Sequence, residues 1–190
     1  DDDTLRVRLP APNMALDLGG IAKGYGADAA VEFLRNTGVT SAFINLGGNV
    51  CVVGRKPDGS PWRIGIQDPE GTRGRHIAIL EVTDTSIVTS GPYERYFLVN
   101  GERYHHILNP KTGYPAENGL ISVTIVSSSS LQADALSTGV FVLGREKGLS
   151  LLEGIEGVEG VLITEGHRVY TTSGLKGRLL SLAEGFELHE

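Results

Sequence analysis

The chain has 190 residues, with 17 Lys and Arg against 23 Asp and Glu and a formal net charge of −6. That length suits one sizeable domain better than two, so a single domain over residues 1–190 is expected. The acidic balance argues against a nucleic-acid surface, and an anionic ligand would need local help from backbone N–H groups, a lysine or a bound cation. No run of about eighteen apolar residues occurs, which argues against a membrane-spanning helix within this sequence. The lone Cys51 excludes an intrachain disulfide and any multi-cysteine metal site. Set between Val50 and Val52, it reads as a small packed hydrophobe. The chain begins DDD without an initiator methionine, compatible with a signal peptide or lipid anchor removed upstream.

In chain order, residues 4–9 (TLRVRL) alternate like a strand, which PAPNM then breaks. From Ile21 to Asn36 apolar residues recur at helical spacing (Ile21, Tyr25, Ala29, Phe33), with Gly38 just past the end. SAFINLGGNVCVVG predicts a strand, a glycine turn and a second strand. Short strands are expected at 62–67, 76–83, 86–89, 94–99 and 120–126, separated by turns such as PDG, NG and KTGYP. Within SGPYERYFLVNG, Tyr93 and Phe97 read as a core stripe, and Glu94 with Arg95 as a strand charge pair. The serines at 127–130 read as a loop ending in a helix N-cap. A helix over 131–143, a second helical piece over 146–153 and a hairpin at 160–172 complete the chain.

GVTSAFINLGGNVCVV (38–53) and GVEGVLITEGHRVYTT (157–172) align without gaps, and each follows a predicted helix. Either any helix–hairpin unit gives this pattern, or an α–β–β unit is duplicated. Both imply an α+β fold, a mostly antiparallel sheet with two principal helices.

Three stretches could carry chemistry. In DLGGIAKGYGAD (17–28), Gly19 and Gly20 precede a helix whose first N–H groups could meet an anion, with Lys23 adding charge. It matches neither GxGxxG nor GxxxxGK[ST], and a purely structural turn is the competing reading. In LQADALSTG, Asp134 and Thr138 are four residues apart and share a helix face. A carboxylate with a hydroxyl suits a hard cation such as Mg²⁺, but also an ordinary hydrogen bond on a solvated face. In ERYHHILNPKTGYP, His105 and His106 point to opposite faces of a strand, so at most one can face a given site.

Taken together and in this order, DLGGIAKGYGAD, INLGGNV, SGPYERYF, YHHILNPKTGYP, ISVTIV and ADALSTGVFVLG resemble the ApbE family, the FAD:protein FMN transferases. The resemblance implies transfer of FMN from FAD onto a Thr or Ser hydroxyl of a target protein, with release of AMP and a requirement for Mg²⁺. It places metal ligands at Asp134, Thr138, Ser137 and the carbonyl of Gly20, and sets Asp17 and Lys23 beside the FAD. His106 matches the family's histidine, with Ile107 and Leu108 lining the flavin pocket. His106 is then the general base for the incoming hydroxyl, and not His105, because imidazole titrates near neutrality and only one of the pair can reach. Family members are longer, and the amino-terminal portion that also contacts the flavin has no counterpart here, so the chain reads as a carboxy-terminal part or a shortened branch. A periplasmic or lipid-anchored setting is implied by the resemblance alone. FAD pyrophosphatase activity, with water replacing the protein hydroxyl, and a non-catalytic flavin- or partner-binding module stand as alternatives.

Overall fold

The computed structural model describes residue 4, residues 6–72 and residues 74–189. Its elements are α1 (Ala22–Asn36), β1 (Ala42–Leu46), β2 (Asn49–Val53), β3 (Trp62–Gln67), β4 (His76–Val82), β5 (Thr85–Ser90), β6 (Tyr96–Val99), β7 (Glu102–His105) and β8 (Leu120–Ser127). These are followed by α2 (Ser130–Leu143), α3 (Arg145–Glu153), β9 (Glu159–Thr164), β10 (Arg168–Thr171), β11 (Leu179–Leu182) and β12 (Glu187–His189). The class is α+β, as expected, and the described residues form the two principal helices, α1 and α2, with the shorter helical piece as α3.

Strands β1-β2-β5-β8-β9-β10-β12 form one sheet, antiparallel except for β10 with β12. A second sheet has the order β11-β4-β3, and β6 and β7 form a separate hairpin. Alternation along the strands divides the large sheet between two cores. Ile87, Val126, Val161 and Ile163 pack against the small sheet through Ile64, Ile66, Ile77 and Leu80. Val88, Val123, Ile125 and Leu162 meet Ala133, Val140, Phe141 and Leu152 of the helices. The large sheet is therefore covered on both faces, which explains why LISVTIV reads as a nearly continuous apolar run.

Helix α1 packs on α2, α2 on α3, and together they cover one face of that sheet. The helical period of α1 was legible, but its packing face was not. Tyr25 and Phe33 are exposed, and the buried residues are Gly24 and Ala27. Close helix–helix approach needs small residues at the contact, so α1 turns its slimmest side inward. At Gly24, an added Cβ would stand 2.4 Å from the carbonyl oxygen of Ser130 and 2.7 Å from Leu131 Cα.

The two α–β–β units run in the same sense along the sheet, and their helices lie in one layer. Their registers differ by one residue: Ile44 pairs with Cys51, whereas its counterpart Ile163 pairs with Val169 and not Tyr170. The tight Gly47-Gly48 turn, both at positive φ, is replaced by a longer turn with His167 at φ 56°. The gapless alignment therefore overstates the likeness of the hairpins.

Residue 4 and residues 6–9 form no strand, and Leu5 lies outside the described residues. The strand expected at 94–99 begins only at Tyr96, and Glu94 and Arg95 lie in the preceding bend. Phe97 is not core: it is 63% exposed and stacks on Tyr104 across the hairpin. Strands β11 and β12 carried no clear alternation. A serine of the 127–130 run caps α2 as expected, but it is Ser129, one residue before the end of the run, and its side chain accepts from the Gln132 N–H at 3.2 Å. Among the described residues no helix is long and apolar enough to cross a membrane.

Candidate active site

A cleft of about 770 Å³ opens where the α1 entry, the β1–β2 turn, the end of β5, the 91–95 bend, residues 106–108 and α2 converge. Asp17, Gly20, Lys23, His106, Ile107, Leu108, Asp134 and Thr138, all singled out in the sequence, line it together. Residues separated by more than a hundred positions thus meet in one place, and Asp134 and Thr138 reach it together, as their i, i+4 spacing required.

Asp134 is 2% exposed, and its surroundings show how a carboxylate is tolerated there. Its Oδ2 accepts the Gly24 N–H at 2.8 Å, and its Oδ1 lies 3.4 Å from Lys23 Nζ. Gly24 N is the third N–H of α1, so Asp134 caps that helix from outside, at its positive end. The favour is returned by α1. Asp28 accepts from the N–H groups of Ser130 (2.7 Å) and Leu131 (3.0 Å), and from Ser129 Oγ (2.9 Å), at the start of α2. Each helix therefore supplies a carboxylate to the N-terminus of the other. Both contacts depend on Gly24, whose missing side chain lets the two helix starts meet.

This reciprocal capping modifies two expectations. The helix start at Gly19-Gly20 does not present all its N–H groups to a ligand, because Asp134 takes one and the Leu18 carbonyl accepts from Ile21 N and Ala22 N. Asp134 also has a structural task of its own. Ser137, by contrast, is fully buried, with Oγ 2.8 Å from Ser90 Oγ and donating to the Asp134 carbonyl at 2.9 Å. Its side chain is absent from the cleft lining. Thr138 Oγ1, 3.3 Å from Ser90 Oγ, does face the cleft. Asp17 accepts from the Gly19 N–H at 2.7 Å, shaping the turn into α1.

The residues fit a magnesium ion in a limited way. Among the described residues no group of three His, Cys, Asp or Glu could hold a metal. One carboxylate oxygen and a threonine hydroxyl remain, and Gly20 lines the same cleft. That is the oxygen-only, partial donor set suited to Mg²⁺, which commonly takes one or two carboxylates plus substrate phosphates and water.

The histidines divide as the alternation required. His105 and Ile107 are buried, whereas His106 and Leu108 are exposed at the cleft. His105 meets Phe141 edge-on, and burial holds its pKa below the ordinary imidazole value. The pKa of Tyr93, whose ring lies against Gly91, is pushed up to about 12 by burial. The lining also includes Asn45, Gln67 and Thr89, to which sequence reasoning assigned no role, and Tyr93 and Arg95, which it read only as core and as half of a strand charge pair. Only their membership of the quoted INLGGNV and SGPYERYF stretches pointed to some of them. Asp28 was missed as well, although it stands one helical turn after Gly24.

The ApbE family model matches residues 1–162. The chain belongs to the ApbE family. It is 42% identical over 188 residues to the FAD:protein FMN transferase of Klebsiella pneumoniae (strain 342), covering 99% of this chain and 58% of that protein. It is also 42% identical to the FAD:protein FMN transferase of Treponema pallidum (strain Nichols), covering 96% and 52%. The ApbE protein of Thermotoga maritima superposes with a TM-score of 0.79 at 39% identity, over 87% of this chain and 54% of that one. The flavinyl transferase ApbE of Pseudomonas stutzeri gives 0.71 at 39% identity, over 86% and 51%. The chain thus spans about half the length of these ApbE relatives.

Proposed function

We propose that the cleft binds FAD and that the chain takes part in moving FMN from FAD onto a Thr or Ser hydroxyl of a target protein, with release of AMP. The observation that carries this reading is the convergence of Asp134, Thr138, Lys23 and His106 on one cleft of about 770 Å³, a size usual for cofactor-sized ligands. The relatives' names, FAD:protein FMN transferase, supply the reaction.

In this reading His106 takes the proton from the acceptor hydroxyl, a weak nucleophile without a base. The hydroxyl oxygen forms a bond to the FMN phosphorus. The bond from that phosphorus to the bridging oxygen breaks, and AMP leaves with the oxygen and its electron pair. Lys23 sets positive charge against the phosphates, which a −6 chain would otherwise repel. Ile107 closes the lower wall against the core, and Leu108 offers an apolar surface to the flavin. Asp134 Oδ1, Thr138 Oγ1 and the Gly20 carbonyl are the atoms that would hold Mg²⁺, which supplies Lewis-acid charge stabilisation to a phosphoryl transfer. A periplasmic or otherwise extracytoplasmic setting belongs to the same proposal and rests on the family alone.

The test is incubation with FAD and Mg²⁺, with and without an acceptor protein bearing a Thr or Ser. A flavin-labelled acceptor with stoichiometric AMP is expected. Free FMN in place of labelled acceptor means hydrolysis. The absence of AMP in both arms refutes catalysis by this chain.

A further inference from the structure

The ring nitrogens of the two adjacent histidines are engaged in opposite senses. His106 Nδ1 lies 3.1 Å from the backbone carbonyl oxygen of Arg95, and the same oxygen accepts the His106 backbone N–H at 3.2 Å. A carbonyl oxygen only accepts, and it has two lone pairs to do so. The neutral His106 ring must therefore carry its proton on Nδ1, which leaves the lone pair on Nε2. His105 is the reverse. The Ile107 N–H donates to His105 Nδ1 at 3.3 Å, so that nitrogen holds the lone pair and the proton sits on Nε2. The ring of His105 also stands edge-on to Phe141 of the helix-facing core.

The origin of this arrangement is the register of the β6–β7 hairpin. Tyr96 and His105 are its last paired residues on this side, and Arg95 with His106 extends the pairing by one step. The step occurs where β7 leaves the hairpin, so the His106 side chain is free to fold back onto the carbonyl that its own backbone already meets. Among the described residues nothing bonds to His106 Nε2.

We infer that the Arg95 backbone carbonyl is a positioning group for His106: it selects the Nδ1–H tautomer and leaves Nε2 as the one ring atom of the histidine pair able to take a proton in the cleft. Fixing the tautomer through the far nitrogen is the general way in which a histidine is made ready for proton transfer. The catalytic consequence rests on the transferase reading above, but the tautomer does not. Because the group is backbone, the side chain of residue 95 is immaterial to it.

The experiment is long-range proton–nitrogen NMR on the substrate-free chain labelled with ¹⁵N-histidine, at an alkaline pH at which imidazole is neutral. His106 is expected to show a protonated Nδ1 and a pyridine-type Nε2, and His105 the opposite pattern, so each serves as the control for the other. Arg95→Ala should leave the His106 pattern unchanged. An Nε2–H form of His106, or an even mixture, overturns the inference, and so does a change of tautomer in Arg95→Ala. An Nδ1–H signature in a chain that transfers no FMN supports the positioning and counts against the transferase reading instead.

Discussion

Helix α1 contains two glycines whose replacement by alanine should act with opposite sign. At Gly24 a new Cβ would lie 2.4 Å from Ser130 O, 2.7 Å from Leu131 Cα and 2.8 Å from Asp134 Cβ. Favourable carbon contacts lie near ~3.5–4.0 Å, so the helix starts must part by roughly 1 Å. Two of the three obstructing atoms are backbone and the third is a Cβ, so no rotamer change relieves them. Overpacking of this kind costs about 1–3 kcal/mol. The gain in helix propensity from glycine to alanine, ~1 kcal/mol, offsets part of it. At Gly26 the new Cβ meets only Leu46 Cδ1 at 3.7 Å, an ordinary contact, so the propensity gain stands alone. The two variants should differ by about 1–3 kcal/mol, a gap of roughly 2–12 °C in Tm for a domain of this size. Parting the helices also stretches the 2.8 Å bond from Gly24 N to Asp134 Oδ2, so under the proposed function Gly24→Ala should weaken Mg²⁺ binding measured by calorimetry while Gly26→Ala leaves it unchanged. Thermal melts of both variants beside the parent are the assay. If Gly24→Ala melts as high as Gly26→Ala, the close approach of α1 to α2 is not what the chain uses to hold Asp134.

Asp134→Asn keeps an oxygen for the Gly24 N–H but removes the charge, so the fold should survive while, on the proposed function, Mg²⁺-dependent transfer falls by about 10²-fold or more; undiminished transfer would make Asp134 purely structural. Asp134→Ala also leaves that N–H unpaired in a buried setting, and should be less stable than the Asn variant by ~1–3 kcal/mol in urea melts. Asp28→Ala strips three bonds from the start of α2 and should lower stability by about 0.5–2 kcal/mol, an effect that an unchanged denaturation midpoint would contradict. For His105, burial lowers the folded-state pKa, so the unfolded chain binds the proton more readily. Its contribution to stability is present above the ordinary value of 6.5 and is lost as pH falls through the lowered folded value. Urea midpoints across that window should show an acid-side loss that His105→Asn lacks; an identical loss in the variant would trace it to other groups.

The helical period of residues 21–36, the strand pairs around Gly47-Gly48 and Gly166, the serine cap of α2 and the shared face of Asp134 and Thr138 follow from local rules, and the sequence alone carried them. Alternation also assigned His106 and Leu108 to one side and His105 and Ile107 to the other, because side-chain direction in extended chain has period two. Other features were decided only by packing. The apolar stripe of Tyr25 and Phe33 promised the inner face of α1, yet Gly24 and Ala27 are the buried residues and Gly24 is the one that meets α2, since backbone proximity and not apolar area sets that contact. The one-residue register difference between the hairpins arises in their turns, where only Gly47 and Gly166 match and the alignment showed no gap. Asp134 looked like a carboxylate in need of a cation. The tertiary structure gives it the N–H of Gly24 and the ammonium of Lys23, 110 and 111 residues away, while Asp28 caps α2 in exchange. No local pattern encodes such partners, because they are neighbours only after two helix starts have been brought together across a glycine.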